Sequence, residues 1–241
     1  MNFTTHDGIQ VPAVTAEQMR EIDRIAVQET GPNLYQMMEH AGRTLAMLAI
    51  ELLGTRWKSA SVLVLTGTGG NGGGGICAAR HMTNRNMRVT LCPIRVPQVG
   101  TVPGYQYAIY QNTPGREIRF DQLQTNRYDL VIDALIGYSL KGAAAGTPQK
   151  MIQWANASGT PILSLDVPSG LDATTGESPG ACIRAVCTLT LALPKSGLFQ
   201  TGNLVLADIG IPFNTYRRIG LEYRSPFGEH FYTRIYARDG A

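Results

Sequence analysis

Apolar positions along the chain follow two periods, helical in some stretches and continuous runs in others. Met19, Ile22 and Ala26 recur at helical spacing behind Thr15, and Thr15 and Gln18 have the spacing of a capping box, so a helix opens at Thr15. Gly31-Pro32 ends it, and Asn33 starts a second helix. There Met37, Met38, Ala41, Leu45, Leu48 and Leu52 trace a broad apolar face, and Gly54 suits the C-terminal end. The methionines read as core. Ser61–Leu65 is a short unbroken apolar run, the pattern of a strand buried on both faces. It leads into the glycine run Gly67–Gly75, behind which Ile76, Ala79 and Met82 mark another helix. Further strands are predicted over Met87–Cys92, Asp129–Leu135, Pro161–Asp166, Val186–Leu193 and Leu204–Ile209. Further helices are predicted over Gly104–Asn112 and from Pro148, which suits a first turn, to Ala157. Residues 1–13 read as a loose arm or an edge strand.

Strands alternating with helices at these lengths predict a doubly wound α/β fold. This is a Rossmann-like three-layer αβα sandwich with a mostly parallel sheet. No linker is long enough to split the chain, so residues 1–241 read as one domain with its core over about 13–212. The Arg- and Tyr-rich stretch 213–241 reads as a peripheral extension. An apolar fraction of 44% supports a sizeable core without disulfide staples. A net charge of +3 with no Lys/Arg run argues against nucleic acid as a partner. No stretch approaches the roughly 20 apolar residues of a membrane span, and the first ten residues lack the apolar core of a leader. Cys77, Cys92, Cys182 and Cys187 form no C-x-x-C pair, and no histidine is read at metal-ligand spacing from any of them. They are taken as small buried hydrophobes, which suits a reducing cytoplasm.

The chemistry-bearing residues sit where strands end. Gly67–Gly75 follows a strand and opens a helix. Glycine tolerates positive φ and lets backbone N–H groups approach phosphate oxygens, and the helix N-terminus adds partial positive charge. The run has no G-K-[ST] ending, so a lysine-dependent NTPase loop is excluded. It contains G-x-G-x-x-G, but residues 88–98 hold only Arg88 and Arg95 among charged groups. An ordinary NAD dehydrogenase, which wants an acidic residue there for the ribose, is therefore disfavoured. Asp133 closes V-I-D-A-L, and Asp166 closes L-S-L-D. All three segments are expected at the carboxyl rim of the sheet. Two carboxylates beside phosphate favour a bound cation.

These residues resemble the YjeF N-terminal domain family. The opening A-V-T-A-E-Q-M-R-E-I-D-R and the segment Gln36–Gly42 resemble the first two helices of that family, which usually reads L-M-E-N-A-G in the second. The glycine run resembles G-P-G-N-N-G-G-D-G, and Asp133–Gly137 resembles D-A-L-F-G. Asp166–Asp172 with Thr175-Gly176 resembles D-[IV]-P-S-G-L-D-x-x-T-G, and Leu193–Leu198 and Ala207–Pro212 match in order. The likeness spans about residues 13–212.

The resemblance implies a Rossmann-like domain that often dimerises and interconverts the R and S epimers of hydrated NADH and NADPH. It places alkali-cation ligands for K⁺ on Asn71, Asp133 and Ser169. It places substrate contacts on Gly70, Asn71, Gly72, Gly73 and Gly74, on Gly137, Tyr138, Ser139, Leu140, Lys141, Gly142 and Ala143, and on Asp166. Three positions depart from it. Gly70 replaces the first loop Asn, Gly74 the loop Asp and His40 the Asn of M-E-N-A-G. Returning a carboxylate at Gly74 is expected to strengthen the activity if the loop is weakened. An ADP-dependent dehydratase domain follows this one in many bacterial members, and a separate NAD(P)HX dehydratase is an expected functional partner.

On this reading Asp166 is the general acid/base at C6 of the hydrated ring, with burial expected to raise its pKa. Lys195 is read as a partner of phosphate or of Asp166, His40 as structural or a ligand, and Arg80 as a surface or helix-packing residue. Two other readings stay open. One is a non-catalytic nucleotide-binding or scaffold member of the same family, for which Gly70 and Gly74 speak; the other is an unrelated nucleotide enzyme on the same fold.

Overall fold

The structure is a computed structural model that describes residues 2–123 and 128–238; Met1 of the expected arm and positions 239–241 of the expected extension lie outside the described residues. Its strands are β1 (Asn2–Thr5), β2 (Gln10–Pro12), β3 (Ser61–Thr66), β4 (Arg88–Pro93), β5 (Arg116–Glu117), β6 (Leu130–Ala134), β7 (Ile162–Leu165), β8 (Cys187–Leu191), β9 (Leu204–Ala207) and β10 (Tyr232–Ala237). They form one sheet in the order β2-β1-β10-β9-β8-β7-β6-β3-β4-β5. From β9 to β5 every pairing is parallel, while β10, β1 and β2 add on antiparallel. The helices are α1 (Ala16–Ile25), α2 (Leu34–Leu53), α3 (Gly70–Thr83), α4 (Val102–Tyr110), α5 (Thr147–Ala157) and α6 (Phe213–Arg217).

The three layers follow from strand periodicity. Val62 to Leu65 of β3 are wholly buried. Val62 and Val64 pack with α2, α3 and α4 on one face, and Leu63 and Leu65 pack with Met151, Ile152 and Ala155 of α5 on the other. A third cluster joins Phe3, Met19, Ile22, Tyr216 and Ile235 at the antiparallel end. Both expected helix starts are capping boxes: Gln18 N–H donates to Thr15 Oγ1 at 3.2 Å with the bond returned by Thr15 N–H, and Asn33 and Gln36 do the same. No helix among the described residues is long and apolar enough to cross a membrane.

Three expectations change. Residues 2–12 are neither a loose arm nor a single edge strand: they form a hairpin in which β2 is the edge and β1 pairs with β10. The stretch from 213 onward is not peripheral within the described residues. Tyr232–Ala237 inserts between β9 and β1, with Ile235 buried, and Tyr216 of α6 is buried too. Leu52 is exposed, and the neighbouring Leu53 takes the buried place.

The glycine run is mostly helix. Gly69 is the N-cap of α3, so the turn itself is only Gly67–Gly69. Most of the other glycines are small for packing, not for phosphate. A Cβ on Gly73 would stand 2.6 Å from Met38 Sδ, and one on Gly75 would stand 2.5 Å from Ala134 Cβ. A Cβ on Gly67 or Gly72 would collide with the carbonyl of Leu135 or of Gly67. On α2, Gly42 lets that helix close on α3, since a Cβ there would be 2.5 Å from Cys77 Sγ. Gly42→Ala is therefore expected to destabilise the protein by about 1–3 kcal/mol through overpacking, against the roughly 1 kcal/mol that Ala gains over Gly in a helix. Urea denaturation checks the sign; a stabilised variant would mean that α2 and α3 are not locked at this distance.

Candidate active site

The strand order reverses at β3, which has β4 on one side and β6 on the other. In open parallel sheets the crevice outside the carboxyl ends of such a pair is where ligands sit. Gly67 N–H donates to Ala134 O at 3.0 Å, tying the turn after β3 to the end of β6. A cleft of about 770 Å³ opens at this point. Its wall includes Gly67–Asn71 and Gly74, Leu135–Ser139, Leu165 with Asp166, and Lys195. The three expected segments therefore meet at one rim. Among the described residues no side chain caps the N-terminus of α3, so its first N–H groups are left for solvent or a ligand at the cleft.

Asp166 stands directly after β7 with φ of 70°, a left-handed conformation rare outside glycine. Its N–H donates to Leu189 O at 2.7 Å, which holds the turn against β8. The Lys195 ammonium pairs with Asp166 Oδ1 and donates to Leu191 O at 2.9 Å. Both side chains are almost fully buried, at 1% and 5% exposure. Of the two partners read for Lys195, the structure joins it to Asp166. Tyr138 N–H donates to the other oxygen, Asp166 Oδ2, at 3.0 Å. The Tyr138 hydroxyl reaches across to Asp23 Oδ2 of α1 at 2.5 Å. Asp23 lines the cleft and went unnoticed in the sequence, although it follows Met19 by four residues on the same side of α1. Burial pushes its pKa up, against the Tyr138 hydrogen bond and the Lys195 charge.

Asp133 is wholly buried beneath this floor. It accepts hydrogen bonds from Ser169 Oγ at 2.6 Å, Ser169 N–H at 2.9 Å, Ser164 Oγ at 2.8 Å and Leu135 N–H at 3.3 Å. Burial raises its pKa and these bonds oppose that rise. Of the three expected cation ligands, the structure joins Asp133 to Ser169. Asn71 packs instead beside Gly137: a Cβ at Gly137 would sit 3.3 Å from Asn71 Cγ and 3.1 Å from Asp166 Oδ2. The buried Oδ1 and Nδ2 of Asn71 have no hydrogen-bond partner among the described residues. Such orphans point to a missing ligand.

The remaining candidates divide. Gly70, Asn71, Gly74, Gly137, Tyr138 and Ser139 line the cleft. Gly72 and Gly73 are buried behind it, and Leu140, Lys141, Gly142 and Ala143 run away from it, the last three exposed. His40 does not line it and lies near Gly210. Leu165 fills the space beside Gly74, since a Cβ there would stand 2.8 Å from Leu165 Cδ2. Gly74→Asp therefore calls for a shift of the end of the Leu165 side chain. Met19, Met37 and Met38 are both core and cleft wall.

One cysteine has a histidine at ligand spacing after all. Cys77 and His81, four apart on α3, meet Glu39 of α2 within 4.8 Å. Arg80 occupies the centre of that group, 2.5 Å from Glu39 Oε2 and 3.3 Å from Cys77 Sγ. Burial raises the Glu39 pKa, but the Arg80 and His81 hydrogen bonds outweigh it and hold the carboxyl at about 2. Burial pushes the Cys77 thiol up to about 12. A guanidinium between the donors and a thiol that keeps its proton make this a clamp between α2 and α3, and Arg80 a helix-packing residue.

The buried pair sets a test of the site. Lys195→Met leaves the Asp166 carboxylate without its cation and is expected to cost about 3–5 kcal/mol of stability. Adding Asp166→Asn to Lys195→Met should return part of that loss. Denaturant unfolding of the two single variants and the double variant measures the coupling; purely additive losses would show that the two groups do not depend on each other.

Known proteins place the chain. The family model for the YjeF-related protein N-terminus matches residues 34–197. The NAD(P)H-hydrate epimerase of Dehalogenimonas lykanthroporepellens is 49% identical over 242 residues, 99% of each chain. That of Weissella koreensis is 33% identical over 83% of this chain and 91% of its own. The bifunctional NAD(P)H-hydrate repair enzyme Nnr of Moorella thermoacetica is 34% identical over 83% of this chain and 40% of its own. Among solved structures, the yeast protein ynu0 (YNL200c) superposes with a TM-score of 0.80 over 93% of this chain and all of its own, at 21% identity, which supports the fold. With its family model, its near-full-length relatives and its fold in agreement, the chain belongs to the YjeF N-terminal domain family.

Proposed function

We propose that this protein is an NAD(P)H-hydrate epimerase, an isomerase that interconverts the R and S epimers of hydrated NADH and NADPH. The observation that carries the reading is the 49% identity, over 99% of both chains, to a protein of that name. The site supports it. The uncapped N-terminus of α3 suits the dinucleotide phosphates, and the apolar wall of Met19, Met38 and Leu165 suits a ring. Gly70–Gly74 and Gly137–Ala143 are proposed as the substrate-binding segments, with the cleft-lining members in contact. Asp166 is the proposed acid/base at the carbon that bears the hydroxyl, and the Lys195 ammonium at Oδ1 fixes its side chain in the cleft wall.

The chain's own residues fit a monovalent cation, K⁺ by the family resemblance. Asn71 offers an orphaned buried carbonyl oxygen, Ser169 a hydroxyl and Asp133 a single charge, a set suited to a weakly hydrated ion and not to Zn²⁺. Bound there, the ion would offset the Asp133 charge and that of the cofactor phosphates. Crystals soaked in a rubidium salt are expected to show an anomalous peak among Asn71, Asp133 and Ser169; none at high rubidium would remove the cation site. The four free cysteines suit a reducing cytoplasm. A homodimer and an NAD(P)HX dehydratase acting beside it complete the proposal.

The catalytic test is chromatography of NADHX started from one epimer. Asp166→Asn is expected to slow exchange on the order of a hundredfold, with circular dichroism checking the fold because Lys195 loses its partner. A variant as fast as the wild type would take Asp166 out of the mechanism. A wild-type rate equal to that of buffer would favour a binding module, the reading that Gly70 and Gly74 support.

A further inference from the structure

Epimerisation by loss and return of water needs two proton transfers. The ring nitrogen pushes out the C–O bond to give an iminium, and the departing oxygen takes one proton and leaves as water. A water oxygen then bonds the same carbon on the other face, giving one proton to a base. One group can serve both transfers in turn, or two groups can share them, one arriving protonated and the other not. Asp166 carries the Lys195 ammonium on Oδ1. Tyr138 links it to another carboxyl in the same cleft. Its N–H donates to Asp166 Oδ2 at 3.0 Å, and its hydroxyl meets Asp23 Oδ2 at 2.5 Å. Lys195 Nζ lies 5.7 Å from the Tyr138 ring centre. Asp23 has no ion-pair partner among the described residues.

We propose that Asp23, working through the Tyr138 hydroxyl, supplies the proton that leaves with the substrate oxygen, while Asp166 accepts the proton of the incoming water. This rests on the epimerase reading. Tyr138 gives its hydroxyl proton to the departing oxygen and takes the Asp23 proton in the same relay, so Asp23 ends as a carboxylate and Asp166 as an acid. The reverse reaction exchanges the roles. Two carboxyls in one cleft with different surroundings can divide the acid and base roles. Asp23 is half-buried and desolvation raises its pKa; Asp166 has an ammonium at its oxygen. The charged and titratable groups acting on this pair are Lys195, Asp166 and Tyr216 of α6 around Asp23, with Arg20 of α1 acting on Tyr138.

The experiment measures kcat and KM for NADHX exchange against pH in the full chain, for wild type, Asp23→Asn, Tyr138→Phe, the double variant and Asp166→Asn. The amide introduced by Asp23→Asn keeps an acceptor for the Tyr138 hydroxyl but has no acidic proton to give, so a merely structural role would survive it. Asp23→Asn is expected to lower kcat on the order of a hundredfold, with KM changed by less than about twofold. A raised carboxyl that must be protonated works below its pKa and fails as pH rises through it. The high-pH fall of wild-type kcat is therefore expected to vanish in Asp23→Asn. Tyr138→Phe should lose a similar factor, and the double variant no more than the worse single one. Should Asp23→Asn fold poorly, Tyr138→Phe carries the test. Wild-type kcat and an unaltered high-pH limb in either variant, or a loss confined to KM, overturns the relay. With Asp166→Asn inert, that result leaves the epimerase reading standing; a wild type no faster than buffer overturns both.

Discussion

A lysine ammonium and an aspartate carboxylate, both nearly out of water, organise the site. Burying either alone would cost several kcal/mol, and pairing removes most of that cost. The pair brings together segments far apart in the chain. Asp166 comes from the turn after β7, held left-handed by its bond to Leu189, and Lys195 comes from beyond β8, tied to Leu191. The same Lys195 segment grips the start of α1. Val14 N–H donates to Pro194 O, and Ser196 N–H donates to Val14 O, both at 2.9 Å. That grip carries Asp23 into the cleft wall, opposite the hydroxyl of Tyr138. The segment around Lys195 thus joins α1 and the turn after β7 at one cleft.

The second constraint is steric. The N-terminus of α3 lies against β6 and its own preceding turn at distances that exclude a Cβ at Gly67, Gly72 and Gly75, and a Cβ at Gly73 would have to push aside the end of Met38. The run therefore does two jobs. Gly69 and Gly70 have open space or only a distant methionine methyl beside them and face the cleft, while the buried glycines hold the helix close enough for its first N–H groups to reach that cleft. Each glycine lowers helix propensity by about 1 kcal/mol, and burial of Ile76, Ala79 and Met82 in the core offsets that loss.

Much of this is local and was legible along the chain. The capping boxes at Thr15 and Asn33, the buried runs of β3 and β6 and the proline in the first turn of α5 each need only neighbouring residues to be read. Asp133, Asp166 and the glycine run stood out because a carboxylate or a glycine cluster after an apolar strand has few structural uses. Order of motifs along the chain also identified the family.

Other features depend on partners distant in sequence, and no local pattern carries them. The strand Tyr232–Ala237 exists because β9 and the N-terminal β1 offer hydrogen bonds on both sides of it. Whether a glycine is small for a phosphate or for Met38 is decided by what packs against it. Cys77, Arg80 and His81 were a helical face until Glu39 of another helix met them. The sequence by itself determined which residues could do chemistry and where strands ended. Tertiary structure decided their company, because packing and Coulomb energy act through space: Lys195 pairs with Asp166, and Asp23, 143 positions before Asp166, joins the same cleft.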